Sequence, residues 1–399
     1  MPLGYYPGCS GEGSGIEYKM STEKTAEMLG IKLKELEDWN CCGATSAHNT
    51  NQLLALALPA RNLAIAEQME LDTILAPCAA CYNRHRAAED KAREDPEMRQ
   101  KIAGIIDMEF QASSHTISVL EWLAKDVGAE QIKAKTTRPL KGMKAACYYG
   151  CLLVRPQEHT GFDDNEDPQS MDQIVRASGA QAVEWAYKTE CCGAALATSR
   201  PEIGAKMIYE VIQNARGAGA ECIVTACPLC MLNLDMRQAK AGQQYGEKLD
   251  MPVYYLTELV ALAGGYTQQE VGIPRHFVEA GSYLDSLPAK AAVIEAAEEA
   301  ARQAKAGKKG AAAKSADGSQ EEEASQKKIE AMKKGFQKNP EKMASRLIQD
   351  EERAKILAEI VAADEKKINK LAELMARDQE KASKAAEAYV TGELKKREK

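Results

Sequence analysis

The sequence has no uninterrupted apolar run of the roughly 20 residues that a membrane-spanning helix takes. It also lacks the apolar stretch or twin arginine of an export signal at its start, so a cytoplasmic chain is expected. Basic surplus is missing too: 52 Lys and Arg stand against 59 Asp and Glu, a net charge of −7, which argues against a nucleic-acid partner. No Gly-x-Gly-x-x-Gly follows a strand-like run, so no flavin or dinucleotide site is legible. The five histidines, His48, His85, His115, His159 and His276, fall into no metal-ligand spacing. The acidic loop Asp163-Asp164-Asn165-Glu166-Asp167 lacks the glycine and terminal glutamate of an EF-hand and reads as solvated. There is no Cys-x-x-Cys-x-x-Cys run of the cubane ferredoxin kind.

What the chain has instead is cysteine, twelve in 399 residues. Ten of them fall into two copies of one pattern. The first is Cys9, then Cys41-Cys42-Gly43-Ala44, then Cys78-x-x-Cys81; the second is Cys151, then Cys191-Cys192-Gly193-Ala194, then Cys227-x-x-Cys230. A unit of roughly 150 residues has been duplicated. A cytosolic chain of this length buries a core without covalent staples, so metal ligation or redox chemistry is the expected use of the thiols.

A structural zinc site takes four tetrahedral ligands, commonly from two x-x-separated pairs. Only Cys78/Cys81 and Cys227/Cys230 have that spacing. In the adjacent pairs Cys41-Cys42 and Cys191-Cys192, neighbouring side chains of an extended backbone point to opposite sides, which suits a body of several irons better than one ion. Five thiols exceed the four that a cubane takes. The surplus implies either a bridging thiolate in an opened cluster or one cysteine with other work. Gly43 and Gly193, and Gly8 and Gly150 before the first cysteine of each set, let backbone pass close to a bulky group. Cys147 and Cys222 lie within strand-like runs and read as core, with Cys147 also a possible extra ligand. Arg155 and His159, just after Cys151, read either as a polar substrate mouth or as surface loop.

The fold class expected is α/β: two tandem similar domains facing each other, then a flexible linker and a C-terminal amphipathic helical extension. Leu3–Tyr6, Asp72–Ala76, Lys144–Tyr149 and Cys222–Ala226 are short apolar runs that each empty into a cysteine, as strands carrying a site at their C-terminal ends do. Helices are expected over Asn51–Met69 and Pro201–Ala218. The boundaries expected are 1–138 and 139–288 for the two domains, 289–328 for a low-complexity linker and 329–399 for a helical docking extension. Ala306–Ser325 has linker composition. Beyond it Leu357, Val361, Ile368, Leu371 and Met375 make an apolar seam interrupted by Asp364 and Asp378. An unbroken amphipathic helix from Pro340 to Gly392 would run roughly 75 Å. It reads as a docking arm for a partner subunit or as a solvated tail.

Tyr6-Pro7-Gly8-Cys9, Cys41-Cys42-Gly43, Cys78-Ala79-Ala80-Cys81, Tyr149-Gly150-Cys151, Cys191-Cys192-Gly193 and Cys227-Pro228-Leu229-Cys230 resemble the tandem Cys-Cys-Gly domains of the B-type subunit of heterodisulfide reductase, over about residues 1 to 285. The resemblance implies two noncubane [4Fe-4S] clusters, each held by five cysteines, with a small disulfide or thiol substrate held between them. One cluster would take Cys9, Cys41, Cys42, Cys78 and Cys81; the other Cys151, Cys191, Cys192, Cys227 and Cys230. It also implies a ferredoxin-like two-cluster subunit and a flavoprotein subunit as electron-donating partners, with a hydrogenase or formate dehydrogenase as further associates. Cleaving a disulfide takes two electrons and a cluster ordinarily passes one, so two clusters facing one S–S bond give the duplication a chemical reason. No side chain beyond the ligands is required for the cleavage itself. The alternative is the Cys-Cys-Gly electron-relay subunit of a quinone-linked hydroxy-acid or glycerol-phosphate dehydrogenase. A zinc-knuckle scaffold with a docking arm is a third, and iron near eight per chain, or stoichiometric zinc, separates it from the other two.

Overall fold

The computed structural model describes residues 2–44, 47–314 and 319–397. The chain divides into two compact units, Met1–Ala296 and Ala297–Lys399. In the first unit, the apolar runs form strands β1 (Leu3–Tyr5), β2 (Leu33–Glu35), β3 (Thr73–Ala76), β4 (His115–Ser118), β5 (Lys144–Tyr148), β6 (Gln181–Ala182), β7 (Cys222–Thr225) and β8 (Val253–Tyr255). They build two four-stranded sheets with one topology, β2-β1-β3-β4 and β6-β5-β7-β8. Every pairing is parallel. β7 is buried along its whole length, the pattern of a parallel strand covered on both faces.

In each sheet the chain leaves the first central strand towards one edge and returns on its other side, through β3 or β7. The gap between β1 and β3, and that between β5 and β7, is therefore the topological switch point, where open α/β sheets form a crevice at the strands' C-terminal ends. The expected helices run over Gln52–Gln68 and Pro201–Gly217. The first starts where Asn51 accepts from the backbone N–H groups of Leu53 and Leu54. The second has proline at its first turn, where a missing N–H costs nothing.

Helix Ile16–Leu29 of the first half packs on helix Leu256–Ala263 of the second. Ser21 Oγ and Thr257 Oγ1 are 2.7 Å apart, and Thr25 Oγ1 donates to the Thr257 carbonyl at 3.0 Å. Beside them the rings of Tyr18 and Tyr255 stack at 4.0 Å. One apolar core joins Tyr5 and Tyr18 to the second sheet, so the two halves share a core as well as a seam.

The second unit differs from a single long helix. Its backbone forms helices Pro340–Ala344, Glu351–Ala363, Glu365–Arg377 and Gln379–Arg397, whose apolar residues close around Leu357, Val361, Leu371 and Val390. The aspartates that interrupt the seam are caps: Asp364 Oδ1 accepts from Lys366 N at 3.0 Å, and Asp378 Oδ1 from Glu380 N and Lys381 N at 3.1 Å. A side chain that satisfies the first free N–H groups of a new helix ends the old one there. Helix Gly281–Lys314 carries the backbone through Ala306 to Lys314, and residues 315–318 of the linker-like stretch lie outside the described residues. Among the described residues no helix is long and apolar enough to cross a membrane.

Candidate functional site: two adjoining cysteine nests

All ten repeated cysteines follow the C-terminal ends of strands. Cys9 follows β1, Cys41-Cys42 lie in the loop after β2, and Cys78 and Cys81 open the helix after β3. Cys151, Cys191-Cys192, and Cys227 with Cys230 take the same places after β5, β6 and β7. The sulfurs gather into two nests. Cys9 and Cys41 Sγ are 3.7 Å apart, Cys42 and Cys81 Sγ 3.2 Å, and Cys192 and Cys230 Sγ 3.7 Å. The nests adjoin, because Cys78 of the first and Cys227 of the second lie close enough that each shifts the other's acidity. Cys9 and Cys41 are exposed, while Cys42, Cys78, Cys81, Cys192, Cys227 and Cys230 are buried.

The first nest encloses about 180 Å³, walled by its five cysteines and covered by Pro228, Leu229 and Leu232 from the second half. Gly8 and Gly150 hold φ at +65°, and a Cβ at Gly150 would stand 3.1 Å from Cys230 Sγ. Only glycine takes that turn and leaves the sulfur its room. Tyr6 donates its hydroxyl to the Asn40 carbonyl at 2.9 Å, and Tyr148 donates to the Glu190 carbonyl at 2.5 Å. Each bond pins the residue just before an adjacent cysteine pair. Tyrosine three places before the first cysteine of both repeats is the sequence signal of this role, and the cysteine spacing alone does not reveal it.

The two nests differ in what surrounds the sulfurs. Beneath the first, His85 bonds the Cys81 carbonyl through Nδ1 at 2.8 Å and meets the Tyr6 ring edge-on at 4.7 Å. Burial holds its imidazole below the usual range. In the second, Asn233 Nδ2 donates to the carbonyls of Cys192 and Ala194 and lies 3.4 Å from Cys192 Sγ. Nothing in the local sequence marks either residue for this role.

Crowding splits the thiols' acidities. Hydrogen bonds from Cys41 and then Cys81 draw Cys42 down to about 3, and those from Cys151 and Cys192 draw Cys191 down to about 2. The hydrogen bond to Cys42 pushes Cys41 up, and that to Cys191 pushes Cys192 up to about 11. Protons are shared because five like charges cannot all form side by side. A cationic centre relieves that repulsion and takes the thiolates together.

Other candidates fall elsewhere. Cys147 and Cys222 are fully buried in the second sheet and pack as core. His159 pairs with Asp90 at 2.6 Å and lines a separate cavity of about 880 Å³ that no cysteine touches. Arg155 donates to the Asn165 carbonyl and to Thr189 Oγ1 at 3.0 Å. Asp163 and Asp164 accept backbone N–H groups of their own loop. Among the described residues no three His, Cys, Asp or Glu side chains close to the spacing of a single ion.

The sequence matches the cysteine-rich domain family, CCG, twice, at residues 3–84 and 145–235. It is 31% identical to the B-type subunit of the ferredoxin:CoB-CoM heterodisulfide reductase of Methanosarcina mazei, over 68% of this chain and 92% of that protein. The chain belongs to the family of heterodisulfide reductase B-type subunits. Its similarity extends to the 8-methylmenaquinol:fumarate reductase membrane anchor subunit of Wolinella succinogenes, 37% identical over 69% of this chain and 96% of that one. A crystal structure of a hypothetical protein from Helicobacter pylori shares the fold, with a TM-score of 0.57 and 14% identity, over 70% of this chain and 52% of that one. The family comprises iron–sulfur, electron-transferring oxidoreductase subunits of multisubunit complexes. The nests fit such a group: each gathers sulfur donors alone, and Gly8 and Gly150 leave open the space that a Cβ would fill.

Proposed function

We propose that each nest holds a noncubane [4Fe-4S] cluster and that the chain cleaves or forms a small disulfide between the two. Cys9, Cys41, Cys42, Cys78 and Cys81 would hold one, and Cys151, Cys191, Cys192, Cys227 and Cys230 the other. Bound there, the clusters supply one electron each, the pair that S–S cleavage takes. The observation that carries the reading is the closeness of Cys78 and Cys227, each of which shifts the other's acidity, at the junction of the two nests. Pro228, Leu229 and Leu232 give the first nest an apolar wall on the side of the second half. Tyr6 and Tyr148 hold the loops whose cysteines bite.

The electron-donating partners of this reading are a ferredoxin-like two-cluster subunit and a flavoprotein subunit, with a hydrogenase or formate dehydrogenase upstream, and residues 329–399 are the surface they dock on. Residues 1–138 and 139–288 are the two cluster domains. Anaerobic purification with metal analysis tests the cofactor, with iron near eight per chain and no zinc expected. Reduced methyl viologen with bis(2-hydroxyethyl) disulfide tests the reaction by counting thiols. A quinol-linked electron relay is the second reading. The relative named as a methylmenaquinol:fumarate reductase subunit favours it, and so does the uncharged cover of Ser10, Ala44, Leu229 and Leu232 over the first nest. Viologen-driven thiol formation decides between them.

A further inference from the structure

The two nests are built from one duplicated pattern, so each serves as a reference for the other. In both, backbone N–H groups just after the adjacent pair draw its sulfurs' acidities down: Gly43 acts on Cys41 and Ala44 on Cys42, Gly193 on Cys191 and Ala194 on Cys192. The copies part at the third residue past the last cysteine. After Cys81 it is Arg84, in an α-helix that runs unbroken over Ala79–Glu94, and its guanidinium donates to Asn83 Oδ1 at 2.7 Å. After Cys230 it is Asn233, in the wider π-helical turn Leu232–Met236.

Asn233 is fully buried. Its Nδ2 donates to the carbonyls of Cys192 at 3.1 Å and Ala194 at 3.2 Å, and lies 3.4 Å from Cys192 Sγ. Carbonyls only accept, so they fix which end of the amide faces the nest. The two hydrogens of Nδ2 serve three acceptors, and a charged thiolate draws them more strongly than a neutral carbonyl does. The other end of the amide, Oδ1, is buried with no hydrogen-bond partner among the described residues, which is rare for such a group. Leucine, of the same branched shape, would leave no orphaned oxygen, so the amide is explained by what its N–H groups reach. Among the described residues no side chain other than a cysteine donates to a sulfur of the first nest.

Solvent separates the nests as well. Cys9 and Cys41 are exposed in the first, whereas in the second Cys151 and Cys191 are half-buried and Cys192, Cys227 and Cys230 are buried. Reduction adds negative charge, which water stabilises and burial penalises, so exposure and hydrogen bonds to sulfur both raise a cluster's potential.

We propose that Asn233 raises the reduction potential of the cluster in the second nest, doing for Cys192 what solvent does for Cys9 and Cys41, and so draws the two potentials together. The proposal rests on the disulfide reading above and deepens it. Cleavage takes one electron from each side, and two donors of like potential are filled by the same reductant.

Redox titration of iron-loaded full-length chains, followed by EPR, tests it. Cys230→Ser leaves the first nest alone and Cys81→Ser the second, so that neither midpoint is disturbed by charge on the other nest. The two midpoints are expected to agree to within about 10-fold in the ratio of reduced to oxidised cluster. Adding Asn233→Leu to Cys81→Ser is expected to lower that ratio about 10-fold at the former midpoint, a shift of about 59 mV for one electron, with iron content unchanged. Adding it to Cys230→Ser should move nothing. Asn233→Ala, which cannot overpack the site, is run beside it. An unmoved midpoint in the iron-replete variants overturns the proposal and leaves the disulfide reading standing. Loss of the second nest's iron in both Asn233→Leu and Asn233→Ala also overturns it, because the amide then only braces the loop. A wild-type chain that forms no thiols from bis(2-hydroxyethyl) disulfide with reduced methyl viologen overturns the disulfide reading and the matching that rests on it.

Discussion

At Gly150 one missing methyl group makes room for the Cys230 sulfur of the second nest. Gly150→Ala would force a side chain into φ +65° and against Cys230, a strain of about 1–3 kcal/mol. The expected outcome is loss of roughly half the bound iron, with the first nest intact, read by metal analysis of the anaerobically purified variant. A second residue-scale consequence concerns alkaline stability. His276 rests at about 9 in the folded chain against an ordinary 6.5, held there by Glu258, Asp235 and Glu17 with Arg275 alongside. A raised pKa means that the ion pair stabilises fully below about pH 6.5 and is lost as pH climbs through 9. Burial raises Glu258 as well, which acts in the same direction. Urea unfolding should therefore show stability falling by up to about 3 kcal/mol between pH 7 and 10. A flat profile over that range would contradict the pairing. The cysteines are legible in the sequence because their spacing repeats; His276 and Glu258 are not, because residues 18 apart meet only through the fold.

Elements are readable where local pattern suffices and unreadable where it does not. The four apolar runs that empty into cysteines form β1, β3, β5 and β7, since a buried parallel strand needs only a short apolar run. Strand order leaves no local trace, because any right-handed crossover of similar length satisfies the same pattern. In the second unit the apolar period is true to the helices, but periodicity alone makes the interrupting aspartates look like flaws in a seam. They are start signals, and only the backbone N–H groups they accept from show it. Asp364→Ala and Asp378→Ala should each lower the stability of the C-terminal bundle by about 1 kcal/mol, measured by thermal unfolding followed by circular dichroism.

At the scale of the whole molecule, each unit has a core of its own among the described residues. The cores around the sheets end at Leu287, and the C-terminal core begins at Phe336. A chain ending at Ala296 should keep its iron and its unfolding midpoint while losing its partner subunits, if the extension is the docking surface. Within the first unit the duplicated domains share one core and bring Cys78 close to Cys227, so the proposed reaction calls on both nests at once. Thiol formation by Cys81→Ser and Cys230→Ser, assayed separately with reduced methyl viologen and bis(2-hydroxyethyl) disulfide alongside iron content, tests this most directly. The account predicts that each variant retains the iron of its intact nest and makes no thiols; full turnover with either nest disabled would contradict it.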